Sequence, residues 1–399
     1  MKLLPGPQLM LIIVDGLGDR PLRVLGGRTP LEAAHTPTMD RMAREGTLGY
    51  YYPLGPGIPV GSGVAHNLLF EYSLDEYQGR GVLEALGMGF ELEPGDLAFR
   101  VNFATLNNRD VVLDRRAGRS GHFLDELTEE LNKAFRRNPF RKEIVLKHGY
   151  DHRGALVVKD WRREVDIPDL DPPVEGVTVE LPEAGEGAEL VSWIYRKARN
   201  VMDNSPYNVK REKQGFKPAN ALLLRGGGVY GEHVSLEEKT GLKCLGVARE
   251  HLYLGSARFA GMDVIAEEDD AKKVDHILRN IHNYDFFFLH FKKADVAGHD
   301  GKPMDKKRVI EEVDRLIRPL LELDNVAVAV TGDHATPCEL KTHSGDPVPV
   351  LFWGVNVPKD GVRRFGERWA RLGGAGQLTG GDVVRVLMNL AGRMLEFGK

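Results

Sequence analysis

Leu9-Met10-Leu11-Ile12-Ile13-Val14-Asp15-Gly16-Leu17-Gly18 runs from consecutive apolar side chains straight into an aspartate and a glycine-bracketed turn. A half-exposed strand alternates apolar and polar positions. A strand with no polar position is buried on both faces, as in the middle of a parallel sheet covered by helices. Two later segments have the same character, Phe286-Phe287-Phe288-Leu289-His290-Phe291 and Val326-Ala327-Val328-Ala329-Val330. Between them, Val309, Ile310, Val313, Leu316, Ile317, Leu320 and Leu321 recur at helical spacing within Lys307 to Leu321. Strand, helix, strand implies a right-handed crossover between parallel neighbours. The pattern predicts an α/β fold with a mostly parallel sheet flanked by helices. A helix opening near Thr36-Pro37 and further core strands at Ala221 to Leu224, Cys244 to Val247 and Val348 to Phe352 complete this expectation.

The middle of the chain reads differently. Leu97 to Phe103 and Ala155 to Val158 suggest alternating strands, Leu124 to Phe135 is an amphipathic stretch, and Pro168 to Gly187 is a Pro/Glu/Gly-rich connection. A chain of 399 residues also exceeds the roughly 250–300 residues at which single cores stop growing. The expected organisation is a core domain formed by residues 1–88 and 210–399, with a smaller α+β lid domain, residues 89–209, inserted into it.

A formal net charge of -4 with 28% charged residues is that of an ordinary soluble protein and gives no sign of a nucleic-acid partner. The apolar run Leu9 to Val14 is too short for a signal core or a membrane span. Cys244 and Cys338 are far apart and outside any C-x-x-C spacing, which argues against a disulfide framework or a zinc ribbon. A cytoplasmic enzyme without a membrane partner is expected, and a homo-oligomer is left open.

The chemistry gathers where the apolar runs end. Asp15 follows the first, Asp295 lies four residues past Phe291, and Asp333 lies three residues past Val330. Ligands of open parallel sheets bind outside the carboxyl ends of the strands, so all three aspartates should share one rim. Histidines accompany them in Asp295-x-x-x-His299 and Asp333-His334, and His343 follows. Any one of these residues alone reads more readily as a cap, a turn former or a structural histidine. Together, carboxylates and imidazoles can hold two divalent ions, with the nitrogen donors favouring manganese, zinc or cobalt over magnesium. Ser62, between glycines in Val60-Gly61-Ser62-Gly63-Val64 and just before an apolar stretch, suits a helix N-terminus. Beside a metal its hydroxyl is a candidate nucleophile for phosphorus; without the metal constellation it would be a plain N-cap.

With these residues in place the chain resembles the archaeal-type, cofactor-independent phosphoglycerate mutases of the alkaline phosphatase superfamily, essentially from end to end. Val14-Asp15-Gly16-Leu17-Gly18-Asp19-Arg20-Pro21 and Thr29-Pro30-Leu31-Glu32-Ala33-Ala34 match the N-terminal signature. Gly79-Arg80-Gly81, Asp114-Arg115-Arg116-Ala117-Gly118-Arg119, Ala297-Gly298-His299-Asp300-Gly301, Thr331-Gly332-Asp333-His334 and His343-Ser344-Gly345-Asp346-Pro347-Val348-Pro349 follow in order. The resemblance implies an alkaline-phosphatase-like core and two metal ions, manganese foremost. Asp295, His299 and His343 would hold one, and Asp15, Ser62, Asp333 and His334 the other. It further implies a phosphoserine at Ser62 during exchange between 2- and 3-phosphoglycerate, with no 2,3-bisphosphoglycerate primer.

Arg115, Arg116, Arg119 and Arg153 from the inserted segment, with Arg225 and Lys292 from the core, are candidates to bind a small phosphorylated carboxylate, because guanidinium forks match both anions. Two positions depart from the family pattern. Gly63 stands where an acidic residue usually follows the serine, and Leu254 stands where relatives tend to carry a lysine, for which Lys293 is a candidate substitute. Readings that keep the same ligands are a phosphatase, another phosphomutase or a homoserine-kinase-like phosphotransferase; a metal- or metabolite-binding module is the non-enzymatic alternative.

Overall fold

The computed structural model describes residues 3–162, 169–184 and 186–396. In chain order the strands are β1 (Gln8–Val14), β2 (Thr47–Tyr52), β3 (Leu97–Leu106), β4 (Val112–Asp114), β5 (Ile144–His148), β6 (Arg153–Val158), β7 (Ala221–Val229), β8 (Cys244–Ala248), β9 (Asp263–Ala266), β10 (Phe286–Phe291), β11 (Val326–Thr331), β12 (Val348–Gly354) and β13 (Gly376–Thr379). The chain divides into two compact units, Met1–Tyr77 with Val234–Lys399, and Gln78–His233.

The first unit is built on an eight-stranded sheet in the order β13-β2-β12-β11-β1-β10-β8-β9. The opening run of the chain is its centre, parallel to β10 on one side and to β11 on the other. Leu9 to Val14 are all 0% exposed, as an uninterrupted apolar strand requires. Only β12 runs against its neighbours β11 and β2. The register sets the function: Val14 lies opposite Phe291 and Ile13 opposite Thr331, so the chain leaves β1, β10 and β11 at the same sheet edge. The crossover between β10 and β11 contains the helix Pro303–Leu316, which buries Ile310 and Val313. The helix Pro37–Glu45 starts where expected, but Thr36 does not cap it; the Asp314 carboxylate accepts from the backbone N–H groups of Thr38 and Met39 at 3.1 and 2.8 Å.

The second unit is an antiparallel arrangement of β4-β3-β6-β5 with β7 on the free side of β3. The helices Leu124–Phe135 and Glu186–Asp203 contribute Leu127, Leu131, Leu190 and Ile194 to its core. This corrects two readings of the sequence. Ala221 to Leu224 belong to β7, which pairs along nearly the whole of β3, and not to the large sheet. The inserted unit is correspondingly wider than 89–209. The helix Arg80–Gly87 also belongs to it, lying so close to β3 that a Cβ on Gly81 would come within 2.3 Å of the Ala98 carbonyl oxygen. Within Pro168 to Gly187, Pro168 and Gly185 fall outside the described residues.

Candidate metal centre

Asp15 follows β1 and is 0% exposed; its backbone N–H donates to the Phe291 carbonyl at 2.9 Å, extending the ladder to the base of the site. The next residue must be glycine for two reasons. Gly16 has φ +65°, and a Cβ there would lie 2.9 Å from the Asp295 Cα. The close approach lets Gly16 N–H donate to Asp333 Oδ1 at 3.0 Å, which locks the loop after β1 to the loop after β11. The backbone N–H of His334 donates to the same oxygen at 3.0 Å.

The oxygens left over converge. Asp15 Oδ1 and Asp333 Oδ2 are buried, and neither accepts a hydrogen bond among the described residues. His334 Nε2 lies 3.7 Å from the first and 3.2 Å from the second, and Ser62 Oγ lies 3.0 Å from that same nitrogen. Ser62 is the first residue of the helix Ser62–Leu69, as expected. On the other side, Asp295 Oδ1 faces His299 Nε2 at 3.4 Å and His343 Nε2 at 3.6 Å, and the two imidazole nitrogens are 3.2 Å apart. The opposite nitrogens of these rings are 3.0 Å from the Lys341 carbonyl and 2.8 Å from the Val60 carbonyl. Donation there leaves each Nε2 lone pair directed at the cluster.

All seven residues named as ligands therefore come together, in two groups that meet at His334. Asp15, Asp333 and His334 place ligand atoms within 4.8 Å of one another, and so do Asp295, His334 and His343. The protonation pattern bears on what the cluster can hold. Burial opposes ionisation of Asp15, but Lys292, His290 and His334 overcome it and hold the carboxyl well below its usual range. Burial and the negative charge of Asp15 push Asp333 well above it. Burial holds His334 down to about 3, so its imidazole is neutral at physiological pH. Two facing carboxylates, one kept from ionising by burial and the charge of the other, with orphaned oxygens and a neutral imidazole between them, fit divalent cations.

Lys292 was expected to bind substrate; its Nζ lies 2.9 Å from Asp15 Oδ2 and 2.6 Å from Asp295 Oδ2, inside the metal cluster. Lys293 does not substitute for the lysine missing at Leu254. It pairs with Asp270 at 2.8 Å and lies 3.8 Å from Glu312. Leu254 is buried, and its neighbour Tyr253 donates to Asp15 Oδ2.

The other candidate substrate residues lie in the second unit, where neighbouring strands bring several together. Arg100 on β3 stands opposite Arg225 on β7, and Asn102, two residues along, stands opposite Arg153 on β6. Asp171 neutralises two of the candidates, Arg115 at 2.7 Å and Arg225 at 3.1 Å. Arg116 and Arg119 are exposed. Arg100 is a buried member that the sequence reading missed, and Glu84 lies 3.5 Å from it. A lone arginine in an otherwise apolar strand, Leu97-Ala98-Phe99-Arg100-Val101, is the signal that marked it. Tyr253, His66 and His290 beside Asp15 and Ser62, and Thr336, whose hydroxyl donates to Asp295 Oδ1 at 2.7 Å, were likewise missed. His290 alone carried a signal, a histidine in an all-apolar strand.

The model of the metalloenzyme superfamily matches residues 7–380. A curated 2,3-bisphosphoglycerate-independent phosphoglycerate mutase of Thermococcus kodakarensis is 42% identical over 98% of both chains. The chain belongs to this family. A Thermoplasma volcanium member is 41% identical, again over 98% of both chains. Among solved structures, a Pyrococcus horikoshii protein superposes with a TM-score of 0.87 at 38% identity, covering 99% of this chain and all of that one. The cofactor-independent phosphoglycerate mutase of Thermoplasma acidophilum gives 0.70 at 34% identity, over 96% of this chain and all of that one. The fold is thus that of the family, and membership in a metalloenzyme superfamily accords with metal dependence.

Proposed function

We propose that this chain interconverts 2-phosphoglycerate and 3-phosphoglycerate with Ser62 as phosphoryl carrier and two divalent ions, manganese foremost. The observation that carries this reading is the placement of the Ser62 hydroxyl against the imidazole shared by two ligand groups. Asp295, His299 and His343 would hold one ion, and Asp15, Ser62, Asp333 and His334 the other. Bound ions supply charge for the phosphoryl oxygens and lower the pKa of a coordinated hydroxyl.

The chain's own residues do the rest. Ser62 Oγ gives up its proton and attacks phosphorus as the bond to one glycerate oxygen breaks, and that oxygen takes up a proton. The phosphoryl group then returns from Oγ to the other hydroxyl, which loses its proton as Ser62 Oγ regains one. No water enters, so the number of phosphoester bonds is unchanged. Lys292 screens the carboxylates and stands in for the cation absent at Leu254. Arg116, Arg119 and Arg153 are assigned to the substrate's anionic groups, with Arg115 and Arg225 set against Asp171 as their support.

A cytoplasmic setting is part of this proposal; no helix of the described residues is long and apolar enough to cross a membrane. Phosphorus NMR of 3-phosphoglycerate incubated with protein and manganese, quenched with chelator, should show 2-phosphoglycerate growing to a constant ratio. Inorganic phosphate as the only product would overturn the mutase reading in favour of a phosphatase.

A further inference from the structure

The metal cluster has an aromatic backing that the ligand set does not explain. Tyr253, on the helix His251–Phe259, is 2% exposed, and its ring stacks on His290 with centroids 3.6 Å apart and planes inclined by 22°. His66 lies 4.9 Å from Tyr253 and 5.3 Å from His290, centroid to centroid. Its Nδ1 is 2.8 Å from the carbonyl of Ser62, one helical turn earlier. The three rings come from three different elements and are packed behind Asp15 and Ser62.

The two oxygens of Asp15 are treated unequally. Oδ2 receives the Tyr253 hydroxyl and Lys292 Nζ, and His290 Nε2 lies 3.2 Å from it. Oδ1, equally buried, accepts no hydrogen bond among the described residues. A carboxylate whose one oxygen is saturated by donors can offer a metal only the other. The phenol suits this task because an ordinary phenol titrates at about 10 and so keeps its O–H as a donor at physiological pH.

We infer that Tyr253 is a positioning residue that acts through Asp15: its hydroxyl fixes Oδ2, so that Oδ1 is presented as a single-oxygen ligand beside Asp333 Oδ2 and His334 Nε2. The stack on His290 fixes the phenol in turn. In the helix that carries it, Tyr253 directly precedes Leu254, where the resemblance leads one to expect a lysine, so the donor comes from the neighbouring position. This inference rests on the two-ion reading above and adds to it a group that touches neither ion nor substrate.

Tyr253→Phe tests it, because the ring and its stack remain and only the donor is lost. Metal-free protein titrated with manganese by calorimetry should bind two ions in the parent. In the variant, one of the two dissociation constants should weaken by about ten- to a hundredfold, the usual consequence of losing a partner behind a metal ligand. The other should change by less than about twofold. Melting of the metal-free variant should match the parent, while the rise in melting temperature on adding manganese shrinks.

Two constants equal to the parent's overturn the inference. Equal weakening of both, with an equally lowered metal-free melting temperature, also overturns it, by showing that Tyr253 merely supports the fold. A parent that binds fewer than two ions defeats the two-ion reading itself, and this inference with it, before any variant is made.

Discussion

The two units collect charge of opposite sign by opposite means. In the first, the sheet around β1 is parallel, so the strands deliver their carboxyl ends to one edge, and Asp15, Asp295 and Asp333 meet there from loops far apart in sequence. In the second, the sheet is antiparallel, so strand ends alternate between edges and a cluster must come from the face instead. Arg100, Arg153 and Arg225 project from three adjacent strands. Like charges directly opposite each other destabilise a sheet, and Glu84 and Asp171 stand against Arg100 and Arg225 to offset this. The carboxylate cluster leaves one oxygen each of Asp15 and Asp333 without a hydrogen bond among the described residues, whereas the arginine cluster keeps its guanidinia partly neutralised.

The sharpest way to break this comparison is Ser62→Ala. Turnover should fall by about four orders of magnitude or more, with no phosphoserine trapped by acid quench and an unchanged circular dichroism spectrum. Activity within tenfold of the parent would remove Ser62 from the mechanism. Asp333→Asn comes next. It keeps the acceptor for Gly16 and His334 N–H but removes a ligand charge, and manganese affinity should drop more than about a hundredfold, beyond the loss expected from an outer partner. An equilibrium dialysis result equal to the parent's would mean that Asp333 does not ligate.

In the second unit, Arg153→Ala should raise KM by about ten- to a hundredfold, the worth of a charge-assisted hydrogen bond, while leaving manganese affinity unchanged. A kcat effect with constant KM would contradict a binding role. Chelation should act in the reverse sense, on the first unit. Each ion held at a hundred times its dissociation constant stabilises by about 2.7 kcal/mol, so its removal should lower melting of that unit by roughly 5–10 °C and leave the second unit unaffected.

The smallest effect is one of pH. Burial, then Arg153, Arg116, Arg100 and Arg119, holds the His152 imidazole down to about 3, whereas an unfolded histidine titrates near ~6.5. Between these values the unfolded unit binds a proton that the folded unit does not. Stability is therefore complete above about pH 6.5 and is lost as pH falls toward about 3. His152→Gln should flatten the decline of urea midpoints in that window; an identical slope would show that other groups set it.

Much of the first unit was legible because its signals are local. Six apolar residues in a row specify a strand buried on both faces, and the residue after such a strand in a parallel sheet is on the ligand rim whatever the rest of the chain does. Asp15, Asp295 and Asp333 were marked in this way, His299, His334 and His343 by their spacing beside them, and Ser62 by its flanking glycines and the apolar stretch after it. The second unit was less legible. The run Ala221 to Leu224 looks like any core strand, and its partner β3 lies more than a hundred residues away in sequence. Lys293 illustrates the same limit on a smaller scale, since adjacent lysines in sequence leave the chain in different directions, Lys292 into the carboxylates and Lys293 toward Asp270.

The sequence by itself determined the parallel arrangement around β1 and the rim, because each follows from periodicity or from position relative to an apolar run, and it marked seven candidate ligands, Ser62 among them, by their spacing and by the family resemblance. Only the tertiary structure decided which ligand atoms face one another, that His334 serves both groups, that Asp15 keeps one oxygen bare and the other saturated, and that Tyr253, His66 and His290 stand behind it. The reason is physical. Patterning records whether a side chain is buried, while the direction of a hydrogen bond or a lone pair depends on distances of a few tenths of an ångström between segments that only folding brings together.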